Sequence, residues 1–181
     1  VLVDLPLAGG ADAVHRVDRG PAGPQHVGRI QHHGNGSGDR GVGLAAACDY
    51  CMATKYASVR LSELAVGIGP FVIGPAVERK IGLSAFSQMA LNATEWQTAE
   101  WAKQKGLFTE AFESVEQLDA YIAHFTADLI QKNPAALLQL KKIFWEGTDH
   151  WDNLLEQRAE MSGKLILSDF AKEAIAKFLH P

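Results

Sequence analysis

A chain of 181 residues, 47% hydrophobic and 21% charged, suits one soluble domain with a real core. Its net charge of −4 gives no footprint for nucleic acid or an acidic membrane surface, and no apolar run approaches the ~18 residues of a membrane span. With only Cys48 and Cys51 there is no disulfide framework, and a reducing, cytoplasmic setting is expected.

Residues 1–40 differ in kind from the rest. They contain no Lys, Glu, Phe, Tyr, Trp, Met or Thr, yet hold four of the seven histidines and eight of the seventeen glycines. Val1–Leu5 reads as a short strand. From Ala11 to Arg40 no helical period can be traced, and Gly, Pro and His break any alternation, so loop or disorder is expected. This stretch forms a first, irregular segment, 1–40.

A better-patterned region, 41–112, follows. Leu44–Ala47 looks helical. Cys48-Asp49-Tyr50-Cys51 has redox or zinc spacing, but the pair sits at the wrong end of a helix for a reactive thiolate. His32-His33 lack the spacing that would complete a zinc site, so no metal is expected. Tyr50–Ala53 and Ala57–Leu61 read as short strands joined by the polar turn Thr54-Lys55-Tyr56. The loop Gly67-Ile68-Gly69-Pro70 opens a helix over about Val72–Ile81, closed by Gly82. Ser84 caps another helix reaching Leu91. Thr94-Glu95-Trp96-Gln97 has the form of a capping box for a helix ended by Gly106, with a strand at Leu107–Ala111.

The third region, 113–181, is predicted almost wholly helical. Ser114-Val115-Glu116-Gln117 is a second capping box, and Val115, Leu118, Ile122, Phe125 and Leu129 step by three and four residues. Three more helices are expected: Pro134–Trp145, about His150–Leu167 capped by Asp149, and Asp169–Leu179 capped by Ser168. Lys141 and Lys142 read as a solvated helix face, or as partners for an anionic phosphate.

Four segments in fixed order carry a family resemblance. They are Gly41-Val42-Gly43-Leu44-Ala45-Ala46-Ala47-Cys48-Asp49-Tyr50, Ala57–Leu64 with Gly67-Ile68-Gly69-Pro70, Glu78-Arg79-Lys80-Ile81-Gly82, and Ala99–Phe108. Together they resemble the crotonase (enoyl-CoA hydratase/isomerase) family from about Gly41 to Pro181. The resemblance implies an α/β fold: a crotonase-like ββα spiral, truncated at its N-terminus, with a helix-dominated C-terminal half. It also implies a homotrimer or hexamer that takes an acyl-CoA thioester as substrate, with no separate cofactor. Such enzymes hold the thioester oxygen between backbone N–H groups while the α-carbon becomes enolate-like, a charge that fixed dipoles stabilise without reorganising.

By that resemblance Glu63 falls on one of two family carboxylates, an acid/base toward substrate carbon. Arg40, Gly41, Ser62, Gly67, Pro70 and Phe71 would surround the substrate, with Leu64, Val66 and Ile68 nearby. Gly43 stands where the second carboxylate belongs. Hydration uses two carboxylates, whereas one suffices to move a proton between carbons. Arg40 and Asp39 replace glycines of the oxyanion turn, and Phe71 replaces a glycine after the loop proline, where it narrows the acyl pocket or serves as a core residue at the helix start. A non-catalytic oligomer subunit with an incomplete site is the alternative. The abrupt change in residue usage near Gly41 also suggests that residues 1–40 are an out-of-frame reading of the same gene.

Overall fold

The computed structural model describes residues 2–4, 29–31 and 38–179, with side chains described for 41–177. Four short parallel strands form one sheet: β1 (Leu2–Asp4), β2 (Arg29–Gln31), β3 (Met52–Thr54) and β6 (Glu110–Phe112), in the order β2-β1-β3-β6. A separate antiparallel pair joins β4 (Ser58–Val59) to β5 (Gln97–Thr98). The helices are α1 (Gly38–Ala46), α2 (Gly74–Leu91), α3 (Ala99–Gln104), α4 (Val115–Leu129), α5 (Pro134–Phe144), α6 (Trp151–Ile166) and α7 (Asp169–Leu179). A 3-10 turn spans Glu63–Val66.

All three residues of β3 are buried, as expected of a strand covered on both faces. Its alternation sends Met52 toward α4, where it meets Leu118 beside Tyr50, Phe112, Tyr121, Ile122 and Phe125. Cys51 and Ala53 join the larger core, built from Val42 and Ala45 of α1, Val77, Ile81 and Met89 of α2, and Leu107 and Phe108 after α3. Full burial of an aromatic or aliphatic side chain stabilises by about 1.5–3 kcal/mol, so Phe108, Met52, Leu61 and Met89 anchor the spiral.

Several sequence expectations shift. A strand was not expected between Ala11 and Arg40, yet β2 pairs in parallel with β1, and α1 begins at Gly38. The remainder of that expectation, and His32-His33, lie outside the described residues. The turn at Thr54–Tyr56 does not make a hairpin. Its two strands belong to different sheets, because β4 finds its partner in β5, forty residues on by register. Trp96-Gln97 lead into β5 rather than a helix, and Thr98 is the residue that caps α3, accepting a hydrogen bond from the Trp101 N–H. The strand expected at Leu107–Ala111 starts later, at Glu110, since Leu107 and Phe108 fold inward to the core. The residue before α6 is His150, which makes no side-chain capping bond, so Asp149 is not the cap.

Other local signals hold. Ser114 Oγ accepts from the Gln117 N–H, and Gln117 Oε1 in turn accepts from the Glu113 N–H, one residue before the reciprocal partner of a capping box. Asn133 caps α5, with Pro134 in its first turn. Gly82 breaks α2 with φ 77° and ψ 159°, where two helices were expected to meet.

Candidate active site

Glu63 opens the 3-10 turn two residues after the buried Leu61. Its carbonyl accepts from the Ile68 N–H at 3.1 Å and from the N–H of Gly67. The carboxylate oxygen Oε2 is shut off from solvent. Glu63 is therefore held through its own backbone, in a 3-10 turn that begins four residues after β4. Ser62 precedes it in a helical conformation and makes no capping bond.

Gly67 ends the turn with φ 81°, in the left-handed region that a side chain resists. A Cβ there would also lie 2.5 Å from Phe170 Cδ1 of α7. Both facts require glycine. Gly69 and Pro70 are buried, and the Phe71 ring folds back over Gly69. Phe71 thus lies in the loop, not at the start of a helix, since α2 begins at Gly74 with Pro75 in its first turn. Leu64 faces outward, 46% exposed, while Val66 and Ile68 are half-buried.

The distal helices hold this loop from outside. Arg158 of α6 donates from Nη1 to the Phe71 carbonyl at 3.3 Å. Ala171 of α7 is fully buried, and α7 packs against the turn that carries Glu63. Arg158, Phe170 and Ala171 lie roughly ninety to a hundred residues downstream, and nothing in local sequence marks them.

Arg40 and Gly41 fall in the first turn of α1, and Gly41 is buried. The N–H groups that lead into a helix have no partner within it, so Arg40, the third residue of α1, belongs to the positive end of that helix, while Gly41 stands where the helical ladder begins. This helix packs against β4, which runs toward Glu63, and against α2, which follows the loop.

At its other end α1 is tied by charge. Lys80 donates from Nζ to the Cys48 and Asp49 carbonyls, at 2.8 and 3.1 Å. Burial lowers the Lys80 pKa below the usual lysine value. The Asp49 carboxylate accepts from Lys141 Nζ at 2.6 Å and from Trp145 Nε1 at 2.8 Å. Burial pushes the Asp49 pKa up, but these two hydrogen bonds outweigh it and leave the group below its ordinary value. Lys141 is thus paired with Asp49 and partly buried, not part of a solvated helix face. Cys48 and Cys51 are buried free thiols. Desolvation raises both, Cys51 to about 12, so neither carries thiolate chemistry at neutral pH. Among the described residues, no three His, Cys, Asp or Glu side chains converge as a metal site.

The sequence pattern of the enoyl-CoA hydratase/isomerase family matches residues 27–180, starting upstream of Gly41. An enoyl-CoA hydratase from Mycobacterium avium is 31% identical and superposes with a TM-score of 0.71, over 78% of this chain and 55% of that one. An enoyl-CoA hydratase from Bacillus halodurans, 23% identical, shares the fold at TM-score 0.68, over 76% of this chain and 55% of its own. A carnitinyl-CoA hydratase from Mycobacterium avium, 22% identical, does so at 0.68, over 78% and 55%. The chain spans about half the length of these solved structures. No curated protein matches it. The chain belongs to the enoyl-CoA hydratase/isomerase, or crotonase, family.

Proposed function

We propose that this chain forms the proton-transfer half of an acyl-CoA site, in which Glu63 is the acid/base and the first turn of α1 polarises the thioester carbonyl. The observation that carries the reading is the fixing of Glu63 through its carbonyl, with Oε2 enclosed. A backbone held this way sets where the side chain starts from, and positioned acid/base groups contribute about 100–10,000-fold. The leading N–H groups of α1, up to that of Arg40, lie at the positive end of the helix and support the other requirement, a fixed donor for a developing enolate oxygen. Arg40, Ser62, Gly67, Pro70 and Phe71 complete the surroundings of the acyl group in this reading.

The test is a Glu63→Gln exchange, with proton exchange at the α-carbon of an acyl-CoA and isomer formation from a 3-enoyl-CoA as readouts. The variant should lose roughly 100-fold or more in rate, while thermal stabilisation by the thioester persists. Undiminished exchange in Glu63→Gln overturns the assignment. Binding without turnover in the parent chain would identify a non-catalytic subunit instead.

The assembly we propose is a homotrimer or hexamer, acting in the cytoplasm. Helices α5 and α6 bury no residue, and Leu138, Ile143, Phe144 and Met161 stand exposed on them. Such apolar faces are the raw material of subunit contacts. A monomer by analytical ultracentrifugation at micromolar concentration would refute the assembly. No helix among the described residues is long and apolar enough to cross a membrane.

A further inference from the structure

Gly43 lies inside α1, where glycine is less favourable than alanine because it gives up more backbone freedom. Its presence calls for a reason, and packing supplies one. A Cβ on Gly43 would fall 2.9 Å from Ile73 Cγ2 and 3.4 Å from Ile73 Cβ. The Cγ2 methyl is bonded directly to Cβ, and a β-branched side chain is stiff at χ1, so it cannot swing aside as a long flexible chain would. Ile73 is itself packed against the core that contains Val42, Ala45 and Val77. The space beside position 43 is therefore filled with hydrocarbon, and even one added carbon does not fit.

We infer that Ile73 is a reaction-specificity residue. Its side chain occupies the room a second carboxylate at position 43 needs, so the site is packed for one carboxylate and suited to a proton shift within an enoyl thioester rather than addition of water. This rests on the reading of Glu63 as acid/base. In the step it fits, Glu63 removes a proton from the carbon between the carbonyl and a 3,4 double bond, and the electron pair moves onto the thioester oxygen. The same proton is returned to the γ-carbon as the oxygen charge collapses, leaving a 2,3 double bond and the carboxylate regenerated. No water is consumed. A methyl face beside Gly43 offers no hydrogen bonds to seat an attacking water, which needs two to four polar partners.

The contact is tested by stability and its consequence by chemistry. Gly43→Ala should lower Tm by roughly 2–8 °C, and Ile73→Ala in the same chain should recover most of that loss relative to Ile73→Ala alone. Failure of Gly43→Ala to fold, with recovery in the double variant, supports the same contact. Gly43→Glu alone should add no hydration of a 2-enoyl-CoA, whereas Gly43→Glu with Ile73→Ala should raise it about 100-fold. Gly43→Ala with an unchanged Tm overturns the packing claim. Equal hydration by Gly43→Glu with and without Ile73→Ala, or none with both changes, overturns the specificity claim. The Tm comparison needs no turnover, so failure of the Glu63 reading shows separately, as isomerisation that survives Glu63→Gln.

Discussion

Asp49 and Trp145, 96 residues apart, are joined by a 2.8 Å hydrogen bond from the indole N–H to the carboxylate. Arg79 lies over the same indole at 4.4 Å and Lys141 at 4.8 Å, so one aromatic ring gathers two cations around one carboxylate. Because α5 buries no residue, this polar cluster is a principal tie between α5 and the rest of the chain. Replacing Asp49 by Ala should cost about 2–4 kcal/mol, since it strands Lys141 and the Trp145 N–H together. Thermal unfolding would measure the loss, and amide exchange should rise in α5 before it rises in α4.

The same carboxylate gives a pH dependence. Its folded pKa lies below the unfolded value of about 3.9. The unfolded chain therefore takes up the proton first as pH falls. The contribution of Asp49 is fully present above about pH 5 and is lost as pH drops through 4 toward the folded pKa. Tm measured from pH 6 to pH 3 should fall less steeply in Asp49→Asn than in the parent. Parallel slopes would show that the cluster does not titrate this way.

Gly67→Ala should destabilise by about 2–4 kcal/mol, combining left-handed strain with overpacking against Phe170. Phe170→Ala in the same chain should relieve the second part alone. Urea unfolding of the two single variants and the double variant separates them, and additive losses would count against the contact.

The residue usage of 1–40 leads to a prediction at the level of the gene. Because the family pattern already covers residues 27–40, the change of frame belongs upstream of residue 27, and translating the coding DNA before that point in its other two frames should extend the family pattern. Intact mass of the expressed chain decides which reading is made. Absence of such an extension in either frame, with the mass of the present sequence, makes the segment a true divergence.

Signals that act over a few residues were readable before the structure. Ser114 and Ser168 cap helices because a short polar side chain reaches an N–H three positions on, and Gly82 marks the break between two helical stretches. Thr94 misled because Thr98, four residues later, offers the same chemistry, and only the pairing of Gln97 with Val59 decides between them. The Thr54–Tyr56 turn failed for a related reason: strand pairing is a long-range choice. Glu63 and Gly67 are singled out by the family pattern, and the structure sets them at the two ends of one 3-10 turn. Ile73 against Gly43, Phe170 against Gly67 and Lys141 against Asp49 were not legible, because each joins residues that only the finished packing brings together.

The parallel ladder carries a kinetic consequence. Met52 of β3 stands between Leu2 and Glu110, so each neighbouring rung requires the chain to close a loop of about 50–60 residues before it gains a single hydrogen bond. High contact order of this kind slows folding, whereas α4 to α7 can form from local signals in microseconds. Newly made chains will therefore spend their longest interval with helices formed and the edges of β3 still unpaired. In that interval another copy's strand competes for the same edge, and yield on refolding should depend on dilution more than on temperature.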